Sequence, residues 1–227
     1  MRIILTILLA TLLGGGGVYL WLYFGGFEAE QGKAIAFIDA YGNYAEIADT
    51  VEALTHLPGT EGNADRAELM TLLESVLTEG MEPERRDTLA RLAFANLDNL
   101  KKEVDAAQAS QAKLYQLLQD LDNASLVFRG VDLRTRTEAI VELARKRAEL
   151  SARVTSILSE TNEQTYTIIT RILADKGELT QEHITEINNA TAEAEKRFAT
   201  LTDLYAELSA KKAELDIAFT AFASTAI

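Results

Sequence analysis

Apolar side chains recur at alternating steps of three and four along most of the chain after residue 83, which is the heptad pattern of helices that pack lengthwise. The clearest run consists of Ala93, Leu97, Leu100, Val104, Ala107, Gln111, Leu114, Leu118 and Leu121. A second run extends from Ile140 to Ile168, and a third from Ile184 to Phe222. Sustained heptads joined by short connections predict an all-α protein built as an antiparallel, coiled-coil-like helical bundle.

Helix-breaking and capping residues divide the chain into separate helices. Gly80 followed by Pro83, and Gly177 followed by Thr180, each supply a left-handed stop and then a helix start. Asp132 is a third candidate cap, after a looser break. The helices predicted after the N-terminal segment are residues 32–57, 64–79, 84–122, 133–176 and 181–225.

The N-terminal segment has a different pattern, because no charged residue occurs from Ile3 to Phe27. As a helix, this stretch would be about 37 Å long, which is enough to cross the hydrocarbon core of a bilayer. Arg2 precedes it and two glutamates follow it, so the positive-inside rule predicts a cytoplasmic N-terminus. The body would then lie outside, in the periplasm or at the cell surface. We therefore predict a retained, single-pass transmembrane signal anchor.

A cleavable signal peptide is the alternative, since Gly15 and Gly17 offer small residues after an apolar run. Cleavage there would leave a mature chain that begins with a very apolar stretch, residues 18–24. The retained anchor is the interpretation that we favour. The chain would then divide into an anchor (1–27), a short helical hairpin next to the membrane (28–82) and three long helices that form the bundle (83–227).

Small residues line one face of this segment and suggest a packing role. The face is formed by Thr6, Ala10 and Gly14, with Thr11 and Gly15 as a second pair beside it. Small residues at this spacing let two transmembrane helices approach closely, which predicts a membrane-protein partner or a second copy of the chain. The alternative is a passive anchor whose glycines form a flexible joint. Gly25 and Gly26 read as a hinge between the anchor and the body.

Polar residues interrupt the seams of the bundle at Gln111, Arg147, Thr161, Gln164 and Lys212. Polar groups turned into a bundle interior can hold a ligand, and Gln111, Thr161 and Gln164 are the candidate ligand-binding residues. Single polar residues on a seam more often fix the register of the helices. We favour the structural interpretation.

Composition excludes several classes of function. A formal charge of −13, with no basic stripe, argues against nucleic-acid binding. The chain has no cysteine and only two histidines, His56 and His183, which are predicted to lie at the surface near helix ends. No catalytic residue, metal site or cofactor is therefore predicted.

The last residues, 216–227, are apolar and nearly chargeless. If the helices alternate in direction, the last helix ends at the tip farthest from the membrane. Phe219, Phe222 and Ile227 are then candidates for contact with a partner protein. The alternative for Phe219 and Phe222 is that they complete the heptad seam.

Two functions remain after these exclusions. The first is a non-enzymatic helical subunit or spacer of an envelope or membrane complex, anchored in the lipid bilayer by its N-terminal helix. The second is an extracytoplasmic ligand-binding, sensor-like bundle that signals through a partner protein. The absence of a convergent polar site in the sequence favours the first.

Overall fold

A computed structural model of the chain describes residues 26–55, 71–73, 75–76, 78, 80–176, 178 and 180–226. Within these residues, the protein consists of helices and turns without strands and folds as a bundle, which confirms the prediction of an all-α helical bundle. The long helices are α1 (Gly26–Leu54), α2 (Pro83–Ser125), α3 (Val131–Ala174) and α4 (Gln181–Ala226). Residues 71–73 and 75–76 are helical as well.

Several helix ends follow the predicted chemistry. Gly80 has a φ of 77°, the left-handed conformation that favours glycine, and Pro83 begins α2. The Thr180 hydroxyl accepts a hydrogen bond from the His183 backbone N–H at 3.2 Å and so caps α4. Asp132 was expected to cap α3, but α3 begins at Val131, and Gly130 occupies the N-cap position.

The interhelical contacts fix the direction of α1 and α3. The Tyr44 hydroxyl donates to the Ala144 carbonyl at 2.6 Å, and farther along both helices Arg147 bonds to Glu52. These helices therefore run in the same direction. Because α3 follows α2 after a short turn, α1 is antiparallel to α2.

The contacts of α4 show that it runs opposite to α1. Phe222 packs on Phe37 with ring centroids 5.1 Å apart, whereas Lys212, earlier in α4, bonds to Asp49, later in α1. We call the end that holds the α2–α3 turn (126–130) the lower end, and the end that holds the α3–α4 turn (175–180) the upper end. The first residues of α1 and the last residues of α4 both lie at the lower end.

This arrangement corrects the expectation that the last helix ends at the tip far from the start of the body. Alternation of five helices would place the end of the last helix opposite the start of the first, whereas α1 and α4 run in opposite directions, so Ala226 lies at the same end as Gly26. Thr55 follows α1 at mid-length, and Val76 belongs to the apolar cluster of the upper end with Ala90 and Ile172. The hairpin predicted for residues 28–82 includes residues 56–70, which lie outside the described residues, so it stays a prediction.

The core of the lower end is built from all four long helices. Phe37, Phe128 and Phe222 meet edge to face, with ring centroids between 5.1 and 6.1 Å apart. Around them pack aliphatic side chains of α2 and α3, including Leu114, Leu118, Leu121, Ile140 and Val141. All the seam residues predicted in α2 are buried. The heptad prediction is therefore confirmed for this helix.

The upper end is covered differently. Its apolar cluster joins the first turns of α2 to the end of α3 and to Val76, with Leu72, Leu73 and Ile187 at its border. The first half of α4 contributes little burial, and Phe198, a predicted seam residue, is 53% exposed. The seam predicted for α4 is thus confirmed from Leu201 to Phe222 and wrong around Phe198.

Among the described residues, no helix combines the length and the hydropathy needed to cross a bilayer. The segment for which we predict a span, residues 3–27, lies outside the described residues except at Gly26 and Phe27. Both of these residues belong to α1.

Candidate functional site

Arg147 lies at the centre of a cluster of four charged side chains from α1, α3 and α4. Its side chain is 1% exposed; Nε donates to Glu52 Oε1 at 2.6 Å and Nη2 donates to Asp49 Oδ1 at 2.6 Å. Lys212 Nζ donates to the same Asp49 oxygen at 2.6 Å and lies 3.7 Å from Glu52 Oε2. Two cations from α3 and α4 therefore hold two carboxylates on α1, and we call these four residues the ionic lock.

Electrostatics keep Arg147 and Asp49 of the ionic lock charged. Burial alone would lower the pKa of the Arg147 guanidinium, but the hydrogen bond from Arg147 to Glu52 and the charge of that carboxylate raise it above its ordinary value. Burial would raise the pKa of the Asp49 carboxyl, but its hydrogen bonds with Lys212 and Arg147 lower it. Arg147 and Asp49 are thus both stabilised in their ionised forms.

Two tyrosines lie beside the lock on α1. Burial raises the pKa of the Tyr44 phenol against the opposing charge of Arg147, and burial also raises the pKa of Tyr41. Tyr44 bonds to a backbone carbonyl, and Tyr41 donates to Asp216 at 3.3 Å. Both hydroxyls therefore cross-link helices as neutral donors.

The sequence signal for the lock was present but incomplete. Arg147 and Lys212 stand out because they occupy seam positions where an apolar side chain is expected. A buried cation needs a carboxylate partner, yet nothing in the sequence selects Asp49 and Glu52, which lie more than 90 residues before Arg147. The partners are visible only once the direction of α1 is known.

Gln111 lies at the α2–α3 interface, where it was considered as a ligand-binding or register-fixing residue. Its Nε2 donates to the Ala148 carbonyl at 3.0 Å, and its side chain is buried. Its Oε1, like the buried Oγ of Ser151, has no hydrogen-bond partner among the described residues. A groove of about 240 Å³ runs beside it, lined by Gln108, Gln111, Ala152, Thr155, Ser156, Ser159 and Glu160.

A second groove of about 320 Å³ lies farther along the same pair of helices. Its walls combine Lys101 and Asp105 of α2 with Asn162, Glu163 and Tyr166 of α3. The Lys101 ammonium lies over the Tyr166 ring, 5.5 Å from its centroid, so this cation already has an aromatic partner.

The structure does not bring Thr161 and Gln164 to Gln111. The Thr161 hydroxyl donates to the Ile157 carbonyl of its own helix. Gln164 faces α4, where it donates to Glu193 and accepts from Arg197. Thr161 lies thirteen residues beyond the Ala148 partner of Gln111, about 20 Å along α3. The three candidate ligand residues therefore do not form one site.

The candidate contact residues of the tail belong to the core instead. Phe222 is fully buried, and Phe219 stacks on Tyr41 with ring centroids 3.7 Å apart. Because the Phe222 side chain is buried, a partner cannot contact it. The alternative interpretation, that the two rings complete the heptad seam, therefore holds for both residues. The side chain of Ile227 lies outside the described residues.

His183 corrects another expectation. It is buried rather than exposed, and its Nε2 lies 3.2 Å from Asp175 Oδ2 at the α3–α4 turn. His56 lies outside the described residues, as do Thr6, Ala10, Thr11, Gly14 and Gly15. In the described ranges, no group of three or more potential ligands could hold a metal ion.

Comparisons with known protein families, with curated proteins and with solved structures find no match for this chain. Its function must therefore be argued from the residues described above.

Proposed function

We propose that the protein is a non-enzymatic helical subunit or spacer of an envelope or membrane complex. A single N-terminal span would anchor it in the bilayer, with its N-terminus in the cytoplasm and its body outside. The observation that carries the proposal is the ionic lock, because its charged groups hold helices together instead of facing an open cavity. A network centred on one buried arginine that joins three helices suits a body whose task is to keep one shape.

The position of α1 gives the proposal an orientation. The uncharged segment 3–27 runs directly into α1, which begins at the lower end of the bundle. The lower end would therefore face the membrane and the upper end would point away from it. With α3 spanning 44 residues, the rod would extend about 66 Å from the bilayer.

Topology can be tested with single cysteines, because the natural chain has none. We expect Leu92→Cys to react with a membrane-impermeant maleimide in spheroplasts, since this residue is 52% exposed and lies near the upper end. Arg2→Cys should react only after lysis, and alkaline carbonate should leave the full chain in the membrane fraction. Equal labelling of both positions before lysis, or release by carbonate, would contradict the anchor.

The partner of the anchor can be tested at the small-residue face. Gly14→Leu together with Ala10→Leu should dissociate the complex in mild detergent, because bulk on this face separates the two helices. Gly16→Leu is the matched control, since a helix turns it about 200° away from Gly14. Association that survives the double substitution would make the glycines part of a passive anchor.

A sensor-like, ligand-binding bundle is the second candidate, favoured by the unsatisfied Oε1 of Gln111 beside the 240 Å³ groove. An uncompensated buried acceptor could be relieved by a ligand that donates a hydrogen bond. A thermal-shift screen of polar small molecules tests this function. A stabilising ligand should lose its effect in Gln111→Leu but keep it in Gln108→Leu.

A further inference from the structure

The α2–α3 turn exposes a concentrated apolar surface at the lower end. Leu126, Val127 and Val131 are 55%, 46% and 82% exposed. These are three of the eight large apolar side chains that are exposed among the described residues, and they lie within six consecutive positions. A contiguous apolar patch of this kind on a surface often marks a site of contact. We call these three residues the apolar tip.

The tip is held in place by the core rather than by a loose loop. Phe128, between Val127 and Arg129, is buried and packs edge to face on Phe37 and Phe222. Its ring points into the bundle, so its neighbours in sequence are directed outward. Ser125 donates its hydroxyl to the Asp122 carbonyl and closes the last turn of α2. The exposure of the tip is thus a consequence of the fold.

The turn itself carries little charge. Residues 123–131 carry a single charge, Arg129, which is exposed and has no carboxylate partner within the described part of the chain. The bordering carboxylates are paired, since Asp122 lies 3.7 Å from Arg145 and Asp132 lies 3.1 Å from Arg136. An apolar surface with one arginine suits a lipid interface, where the side chain can reach a phosphate.

The position of the tip selects the surface that covers it. Phe37, which Phe128 contacts, lies eleven residues after Gly26, or about 16 Å along α1. Because Tyr44 bonds to Ala144 and the two helices run in the same direction, Val131 lies at about the level of Gln31, only five residues after Gly26. The tip therefore lies next to the point where the uncharged segment 3–27 joins the body.

From these observations we infer that the apolar tip, Leu126, Val127 and Val131, inserts into the headgroup region of the bilayer that anchors the chain. The inference rests on the proposed membrane span. The tip and the span would give the body two points of attachment, so the rod would hold a fixed angle to the membrane. A span followed by the Gly25-Gly26 hinge alone would leave that angle free.

The test uses the full chain with one cysteine at a time, labelled with an environment-sensitive fluorophore and reconstituted in phosphatidylcholine vesicles. Brominated phosphatidylcholine then quenches only those labels that touch lipid. We expect quenching of Val127→Cys of about twofold, and none for Leu92→Cys, an exposed residue of α2 near the upper end. Leu8→Cys, inside the predicted span, reports separately on the anchor.

The outcomes separate the two proposals. Quenching at position 8 without quenching at position 127 would leave the anchor intact and overturn the inference about the tip. Quenching at position 127 alone would support the lipid contact and contradict the span. A blue-shifted label at position 127 that brominated lipid does not quench would mean that protein covers the tip, which also overturns the inference.

A charged substitution sharpens the result without disturbing the fold. Val131→Asp, combined with the label at Val127→Cys, should abolish most of the quenching, because a carboxylate resists entry into the interface. Ile217→Asp is the matched control, since Ile217 is a 71% exposed residue of α4 away from the turn. Equal quenching in the two variants would show that the apolar tip does not drive the contact.

Discussion

The lower and upper halves of the bundle follow the same heptad pattern but are packed differently. In the lower half, α1 supplies a fourth helix, and Phe37, Tyr41 and Tyr44 fill the space between the other three. In the upper half α1 has ended, and residues 181–200 of α4 are largely exposed. The comparison shows that a seam is buried only where a second helix faces it.

Two phenylalanines of α4 illustrate the difference. Phe198 and Phe222 both occupy seam positions in the sequence, yet Phe198 is 53% exposed and Phe222 is 0% exposed. Phe222 contacts Phe37 of α1, whereas the level of Phe198 lies beyond the end of that helix. The lower half therefore buries the seam of α4 more completely, and the groove of about 320 Å³ at the α2–α3 interface lies in the upper half.

The largest expected effect comes from truncating these two rings. Phe222→Ala should lower the free energy of unfolding by about 4 kcal/mol, because it opens a cavity in the aromatic core. Phe198→Ala, the matched control, should lower it by less than about 1 kcal/mol. Urea unfolding followed by circular dichroism measures both. Similar losses for the two variants would show that the halves are equally well packed.

The ionic lock should give the next largest effect. Arg147→Leu leaves Asp49 and Glu52 with Lys212 as their remaining cation, and we expect a loss of about 3 kcal/mol in the free energy of unfolding. Arg153→Leu is the control, because Arg153 is an exposed arginine six residues farther along α3. A triple variant that combines Arg147→Leu with Asp49→Asn and Glu52→Gln should recover part of the loss. If this variant recovers none of the lost free energy of unfolding, the aliphatic part of Arg147 stabilises the fold by packing, and its charge does not.

Local signals explain which parts of the fold could be predicted. The positions of Gly80 and Pro83 and the seam of α2 depend on backbone geometry and on periodicity, which a sequence displays directly. The direction of α4 depends on the number of reversals before it, and a reversed helix predicted over residues 64–79 adds one reversal to that number. An error in one connection inverts every later helix, although each helix by itself is correctly predicted.

The candidate site was less predictable for a related reason. Whether Phe198 or Phe222 is buried depends on where α1 ends along α4. Nothing in the sequence of α1 identifies the helices against which it packs. The lock joins residues that are 95 and 98 positions apart, so its geometry exists only after the bundle has formed. Gln111, in contrast, was predicted as a seam residue and is buried on that seam.

The smallest effect that separates the halves is the response to acid, which is expected in the lower half. The hydrogen bonds from Lys212 and Arg147 hold the pKa of the Asp49 carboxyl below 3.8, the value for the free side chain, despite the opposing effect of burial. An acid with a lowered pKa in the folded state stabilises the fold at neutral pH, and that contribution is lost as the pH falls below about 4. Because Asp49 is 55% exposed, water screens the interaction, and we expect less than about 1 kcal/mol from this residue.

The measurement is the free energy of unfolding of the natural chain and of Asp49→Asn, determined between pH 7 and the acid limit of the folded state. The variant should be less stable at neutral pH, and its deficit should shrink as the pH falls below about 4, because the natural Asp49 is then protonated as well. Asp203→Asn, an exposed carboxylate of α4 in the same chain, should show no comparable convergence. A deficit for Asp49→Asn that stays constant with pH would show that the variant is destabilised by altered hydrogen-bond geometry and not by loss of the negative charge. The ionic lock would then stabilise the lower half through the geometry of its hydrogen bonds alone.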